Sequence, residues 1–78
     1  KGQYRHLQLG AFQSRSSADL LARKLQLLTD FSVTVSSVQM DNKILYRVRI
    51  GPFLSNSAVF AEKNMLESKG FSMLQLLP

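Results

Sequence analysis

The sequence predicts an α+β fold in which two helices cover one side of a single antiparallel sheet. Two short segments, Gln8–Phe12 and Arg49–Phe53, are alike, because each alternates in polarity, reaches a glycine and ends at a phenylalanine. Each is followed by a serine-rich step and then by apolar residues at helical spacing. These residues are Ala18, Leu21, Ala22, Leu25 and Leu28 in the first run, and Ala58, Ala61 and Met65 in the second. A strand-to-helix unit that occurs twice indicates one small sheet built from two similar halves.

The first predicted strand is Arg5–Phe12, where apolar and polar residues alternate as in a half-buried strand. Its apolar side carries Leu7, Leu9 and Ala11, and its other side carries His6, Gln8 and Gly10. Ser16 and Asp19 then form an S-x-x-D capping arrangement. This arrangement predicts a helix over residues 16–29.

The second and third strands are predicted to form a hairpin. Ser32–Met40 is rich in Val, Thr and Ser, which favours a strand, although the pattern leaves open which face its valines take. Asp41 and Asn42 both tolerate a positive φ, so they predict a tight turn. The third strand is Lys43–Ile50, with Val48 and Ile50 pointing inward and Arg47 and Arg49 pointing outward.

The third strand must end before Pro52, because proline has no backbone N–H to donate. A second helix is predicted over residues 55–69, with either Ser55 or Ser57 as its N-cap and Lys69 and Gly70 at its end. The last strand is Phe71–Leu77. With right-handed crossovers, the order βαββαβ gives the ferredoxin-like, or RNP-like, sandwich: a four-stranded antiparallel sheet with both helices on one face.

The sheet face without helices is the candidate binding surface. In this fold the first and third strands are adjacent at the sheet centre, so their outward side chains should lie together; these are His6, Gln8, Arg47 and Arg49, with Gln75 added by the last strand. Glutamine both donates and accepts hydrogen bonds, and arginine offers a planar fork of donors. The formal charge of +5 also favours an anionic partner. An ordinary solvated sheet face is the alternative interpretation.

Two glycines and two phenylalanines at the strand ends each allow two interpretations. Gly10 and Gly51 either form the turns into the helices or let a ligand approach the backbone. Phe12 and Phe53 either fill the core at the strand-to-helix corners or stack on a ligand. Cysteine is absent, and the lone histidine has no neighbouring ligand motif, so the sequence predicts neither a metal site nor a cofactor.

The length and composition favour one small domain over residues 1–78. Apolar residues make up 45% of the chain, and no apolar run reaches the roughly 18 residues of a membrane span. We therefore expect no membrane insertion by this domain. Because the chain opens at Lys1 without a methionine, we expect it to belong to a longer protein.

The segments YRHLQLGAF at Tyr4–Phe12 and YRVRIGPF at Tyr46–Phe53 resemble the SPOR (sporulation-related repeat) domain, whose hallmark is this pair of Gly-Phe segments. The resemblance covers essentially the whole chain, with Ala18 and Ala58 opening the two helices. It implies a non-catalytic module that binds denuded peptidoglycan, meaning glycan strands stripped of their stem peptides. It also implies a monomer at the division septum, in the periplasm or envelope of a Gram-negative bacterium, as the C-terminal part of an envelope protein.

Under this resemblance, arginine would meet the lactyl carboxylates of the glycan and glutamine would meet its acetamido or hydroxyl groups. The predicted glycan-binding residues are His6, Gln8, Gly10, Phe12, Tyr46, Arg47, Arg49, Gly51, Phe53 and Gln75.

Two other functions share the predicted strand order. An RRM-like domain that binds single-stranded RNA needs aromatic side chains projecting from the central strands, where this chain has His6, Gln8, Arg47 and Arg49. An enzyme of the acylphosphatase type would hold an anion near Arg15 and use an asparagine to orient water. Asn42 lies in a turn and the glycine-rich phosphate loop is missing, so we expect no catalysis and no nucleic-acid partner.

Overall fold

The computed structural model describes residues 2–78 and confirms the predicted order βαββαβ. The elements are β1 (His6–Phe12), α1 (Arg15–Gln26), β2 (Val33–Met40), β3 (Lys43–Ile50), α2 (Asn56–Ser68) and β4 (Leu74–Leu77). The sheet order is β2-β3-β1-β4, and every neighbouring pair is antiparallel. The fold is therefore the predicted ferredoxin-like sandwich, with β3 and β1 at the centre of the sheet.

The core lies between the sheet and the helices. Its fully or almost fully buried members come from both layers: Leu7, Leu9, Ala18, Leu25, Val48, Ile50, Phe53, Val59 and Leu66. The ring of Phe53 packs against that of Phe31, with their centroids 4.4 Å apart. Because the buried strand residues all point toward the helices, their polar neighbours Gln8, Arg47 and Arg49 lie on the opposite side of the central strands.

Helix α1 begins one residue earlier than predicted, because Ser14 and not Ser16 is its N-cap. The Ser14 hydroxyl accepts a hydrogen bond from the backbone N–H of Ser17 at 3.3 Å. Asp19 contributes by facing Arg15 across one helical turn, at 3.9 Å. The prediction of an S-x-x-D cap starting at Ser16 is therefore wrong, since that serine already lies inside the first turn.

Helix α2 begins at one of the two predicted caps and ends as predicted. Ser55 accepts a hydrogen bond from the N–H of Ala58 at 3.1 Å, and Lys69 is the C-cap. The N–H of Phe71 still bonds the carbonyl of Leu66 at 3.1 Å. This bond completes the helix end and explains why β4 starts at Leu74 and not at Phe71.

A β-bulge at Gly10 reverses the alternation of β1. Leu9 lies opposite Val48, but the next cross-strand pair is Ala11 with Arg47, so Gly10 is an extra residue. Its φ of +75° is readily adopted only by glycine. The predicted inward position of Ala11 is wrong: Ala11 is exposed, and Phe12 turns to the helix side and packs against the core.

Phe53 and Leu54 give a paired test of the core, because these neighbouring residues are 0% and 89% exposed. We expect Phe53→Ala to lower the free energy of unfolding by about 3–5 kcal/mol. Leu54→Ala should change it by less than about 0.5 kcal/mol. Urea unfolding followed by circular dichroism measures both values. Equal losses in the two variants would contradict this description of the core.

Candidate functional site on the open sheet face

The open face is the side of the sheet that faces away from the helices. One row of side chains crosses it through all four strands, because Thr34 pairs with Arg49, Arg49 with Gln8, and Gln8 with Gln75. We call these four residues the central row. Residues that pair directly across antiparallel strands point to the same face. Strand pairing therefore brings together side chains that are far apart in the sequence.

Gln8 and Arg49 are in direct contact within the central row. The Nε–H of Arg49 donates a hydrogen bond to Oε1 of Gln8 at 3.2 Å, and both residues are half-buried. This bond uses one donor of the guanidinium group, which carries five. It fixes the direction of the arginine and leaves its two terminal nitrogens free of protein hydrogen bonds among residues 2–78.

Arg47 lies next to the central row, two residues along β3. It pairs with Ser36 on one side and with Ala11 on the other. Its Nη2 lies 3.8 Å from the sulfur of Met40, which is a weak acceptor. Arg47 is thus the second cation of the open face, next to a small residue on each side.

The positive charge of the open face is not neutralised by neighbouring carboxylates. In the part of the chain that the structure describes, the two ion pairs lie within helices, Arg15 with Asp19 and Lys63 with Glu67. Neither Arg47 nor Arg49 takes part in an ion pair there. The face therefore presents two arginines without an internal counter-charge, which suits an anionic ligand.

His6 lies on the open face beside the central row, directly over Gly51. A Cβ placed on Gly51 would lie 2.8 Å from the imidazole Cδ2 of His6 and 2.6 Å from the carbonyl oxygen of Arg5. That carbonyl accepts a hydrogen bond from the N–H of Phe53 at 2.7 Å. Gly51 itself is buried, so its role is close packing between β3 and the chain before β1. Gly51 is one of the predicted glycan-binding residues. Because it is buried, it cannot contact a ligand directly, and that prediction is wrong.

The predicted aromatic contacts do not lie on the open face. Phe53 is fully buried in the core. Tyr46 and Phe12 pair with each other on the helix side, and both pack against the core. Phe12 takes this position because of the bulge at Gly10. Gly10 itself is exposed near the end of β1. Of the predicted residues, the open face brings together His6, Gln8, Arg47, Arg49 and Gln75.

β2 also contributes to the open face, which the sequence pattern did not predict. The pairing of Thr34 with Arg49 and of Ser36 with Arg47 places both hydroxyls on the open face beside the arginines. Val33 and Val35 point to the helix side, and Val38 points to the open face. The signal was present in the spacing, because valines 35 and 38 are an odd number of residues apart and must point to opposite faces of a strand.

The shape of this region is that of a platform. Residues 2–78 enclose no pocket, and no three His, Cys, Asp or Glu side chains among them gather as a metal site would require. None of the helices in that range is long and apolar enough to cross a membrane. A flat, polar, cationic surface is typical of a module that binds an extended partner.

The fold and the platform thus define a small ferredoxin-like binding domain with a polar, cationic sheet face. The family model of the SPOR domain matches residues 1–73, and the chain belongs to this family. The SPOR domain is a peptidoglycan-binding module and not a catalytic unit. The predicted membership is therefore confirmed.

Two curated relatives and one solved structure show the same relationship. The relatives, from two strains of Pseudomonas aeruginosa, are named endolytic peptidoglycan transglycosylase RlpA and are 44% identical to the chain over 54 residues. The matched region is 69% of this chain and 16% of each relative, so the chain spans about a sixth of their length. The crystal structure of the RlpA SPOR domain from Pseudomonas aeruginosa is similar with a TM-score of 0.89 and 34% identity, covering 95% of this chain and 97% of that one. The segment ILYRVRIGPF at Ile44–Phe53 predicts a similarity to rare lipoprotein A, which is abbreviated RlpA. The comparison confirms this prediction.

Alanine substitutions at Gly51 and Gly70 test the close packing at Gly51. Both glycines have a positive φ, but a Cβ would meet neighbouring atoms at Gly51 and none within 4 Å at Gly70. Alanine at either position bears the cost of a left-handed backbone, about 1–2 kcal/mol. Gly51→Ala must also displace the Arg5 carbonyl and the His6 ring, which adds about 1–3 kcal/mol. Urea unfolding should therefore show Gly51→Ala to be the less stable of the two. Equal stability would refute the close packing.

Proposed function

We propose that the open face binds denuded peptidoglycan glycan strands and so directs its parent protein to the division septum. The observation that carries this proposal is the contact between Gln8 and Arg49 next to Arg47, on a face where neither arginine has a carboxylate partner among the described residues. Family membership supports peptidoglycan as the ligand. The central row supports recognition of its stripped form.

A denuded strand offers the groups that this face can bind. Each MurNAc of a stripped strand has a free lactyl carboxylate, and the strand also carries acetamido groups and hydroxyls. The guanidinium groups of Arg47 and Arg49 suit the carboxylates, since a charged pair makes a stronger hydrogen bond than a neutral one. Gln8 and Gln75 suit the acetamido and hydroxyl groups, because an amide both donates and accepts.

The same chemistry explains a preference for stripped glycan. A stem peptide is attached to the lactyl group through an amide bond, which removes the negative charge and adds bulk. Discrimination then comes from a lost attraction and from a clash at the same position. Residues 2–78 enclose no pocket that would accommodate a peptide, so the charge freed by its removal is the main feature available for recognition.

The contacts are individually weak and must act together. Exposed ion pairs contribute about 0–1 kcal/mol each. Several such contacts along a repeating polymer are consistent with micromolar affinity, about 8 kcal/mol in total. The preformed bond between Arg49 and Gln8 helps, because less side-chain freedom is lost on binding.

We further propose that the chain serves as one non-catalytic module, residues 1–78, in a larger protein of the bacterial envelope. Its relatives are named transglycosylases, and the chain matches 16% of their length. A cutting activity in the parent protein would then be brought to its substrate by this module. Location at the septum follows from the ligand, since stripped strands accumulate where the wall is being divided.

The RNA-binding alternative is not favoured. The open face of the described residues presents His6 as its ring-bearing side chain, while Phe12, Tyr46 and Phe53 lie on the helix side. Recognition of single-stranded RNA depends on aromatic stacking against the bases. Single-stranded RNA therefore serves as the competitor in the binding experiment.

Arg49→Leu tests the role of the central row. It removes one cation and its bond to Gln8, so it should lower the affinity for sacculi whose stem peptides were removed by an amidase about fivefold, equal to about 1 kcal/mol. Arg23→Leu is the matched control, because Arg23 is an exposed residue in the last turn of α1 and should be retained like the natural chain. Sedimentation with purified sacculi, before and after amidase treatment, measures both. Unchanged retention of Arg49→Leu would count against the proposal.

Blocking the carboxylates of the ligand tests charge recognition from the other side. Denuded glycan coupled to methylamine keeps its hydroxyls and acetamido groups but loses its negative charge. We expect its affinity to fall by at least about tenfold, equal to about 1.4 kcal/mol. Isothermal titration of the untreated and coupled glycans gives the ratio. Equal affinities would show that the arginines do not bind carboxylates.

A further inference from the structure

The outer edge of β2 is the long free edge of the sheet. β2 contains eight residues and pairs with β3 in an unbroken register, from Val33 with Ile50 to Met40 with Lys43. The opposite edge, β4, contains only four residues and lies between Met73, with a φ of +61°, and Pro78. Short strands and prolines protect sheet edges from further pairing. β2 has neither protection.

The ladder between β2 and β3 shows which backbone groups point outward. The N–H of Gly51 donates to the carbonyl of Ser32 at 3.0 Å, in the same register as the rest of the ladder. In antiparallel pairing, such hydrogen-bonded residues alternate with residues whose N–H and C=O point away. The outward residues are Val33, Val35, Ser37 and Gln39, and their eight backbone groups have no hydrogen-bond partner among residues 2–78.

This edge also lacks the charges that normally keep two sheets apart. The sequence of β2 is VTVSSVQM, which has no Lys, Arg, Asp, Glu or Pro, although the whole chain has a net charge of +5. Inward charges, lysines, prolines and bulges are the usual means by which edge strands avoid pairing. Because β2 is uncharged and regular, a second copy with the same positive net charge meets little electrostatic repulsion at this edge.

We propose that β2 pairs antiparallel with β2 of a second copy of this chain, about a two-fold axis at Ser36, in place of the monomer that the family resemblance implied. In this register the backbone of Val33 forms hydrogen bonds with that of Gln39 of the second copy, and the backbone of Val35 with that of its Ser37. The two-fold symmetry repeats both pairs. Each pair exchanges two hydrogen bonds, so all eight outward groups of each strand are satisfied. Registers centred on Val35 or Ser37 satisfy fewer of them, which selects Ser36 as the centre.

The side chains are self-complementary in this register. On the open face, Ser36 lies opposite Ser36 of the second copy and Thr34 lies opposite its Val38, so the paired positions are small or β-branched and uncharged. Such residues pack well across strands. The hairpin end of one copy, with the exposed Asp41 and Lys43, meets the loop of the other that contains the exposed Asp30. The acidic and basic groups at these ends offset each other, so the uncharged residues between them carry the self-complementarity.

The pairing places both open faces on the same side of one eight-stranded sheet, because the two-fold axis is perpendicular to the sheet. The two β3 strands are three strand spacings apart, about 14 Å. Arg47 and Arg49 of both copies then line one continuous surface. Two linked sites on one polymer bind more tightly than either site alone. This consequence rests on the proposed glycan function, whereas the pairing itself does not.

A single cysteine tests the register, since the natural chain has none. Ser36 would face its own copy in a non-hydrogen-bonded pair with Cα atoms about 4.5 Å apart, a separation that a disulfide can bridge. We expect Ser36→Cys to form a covalent dimer on mild oxidation at least tenfold faster than Thr34→Cys. Thr34 is also on the open face, but it is two residues from the axis and so four residues out of register with Thr34 of the second copy. Equal rates, or no dimer from Ser36→Cys, would overturn the register.

Ser37→Pro tests the pairing without a crosslink. The N–H of Ser37 points outward, so proline removes a donor from the free edge and none from the bond to β3. Sedimentation of the natural chain without glycan should show the mass rising from 8.8 kDa toward twice that value with concentration. The variant should stay at the monomer mass with an unchanged melting temperature. A natural chain that stays monomeric at millimolar concentration, or that pairs only with an added extended peptide, would overturn the proposal.

The glycan assay separates the two proposals. Ser37→Pro should bind a short denuded glycan with the same affinity as the natural chain, and should be retained at least tenfold less on sacculi. If Arg49→Leu loses affinity for the short glycan but still dimerises, the proposed glycan function is supported and the pairing of β2 is unaffected. Unchanged retention of Ser37→Pro on sacculi would overturn the bivalent consequence.

Discussion

The strict alternation of side chains along the two central strands determines the rest of this structure. Leu7, Leu9, Val48 and Ile50 must all point to the helices, because a domain of this size has few other residues with which to form a core. Their neighbours in the sequence are then forced onto the opposite face. Gln8 and Arg49 lie side by side at the sheet centre for this reason, and the hydrogen bond between them follows from the packing beneath.

Alternation also explains why the strands and the main polar residues could be predicted from the sequence, and why Phe12 could not. The pattern from His6 to Leu9 is regular and long enough to assign two faces. At Gly10 one added residue reverses the pattern, and a glycine near a strand end is equally compatible with a turn, a bulge or a plain strand. The bulge becomes visible only in the pairing with β3, where Ala11 and not Gly10 lies opposite Arg47.

The remaining differences come from interactions between residues that compete locally or lie far apart. Ser14 and Ser16 could both cap α1, and only the backbone geometry selects Ser14, whose hydroxyl is within reach of the N–H of Ser17. The covering of Gly51 by His6 joins residues 45 positions apart, and sequence spacing carries no record of it. The polar contribution of β2 required its register with β3, since a strand with valines on both faces does not identify its inner side.

The absence of an enclosed pocket among residues 2–78 has a consequence for how a polymer would be held. A cleft closed at one end recognises a chain terminus, whereas a flat platform open at both ends accepts any stretch of a long strand. The bound glycan could shift by one repeat and restore the same contacts. The domain could then diffuse along the glycan without dissociating. Under the proposed function, such one-dimensional sliding would let an enzyme in the parent protein reach successive positions on the glycan after one binding event.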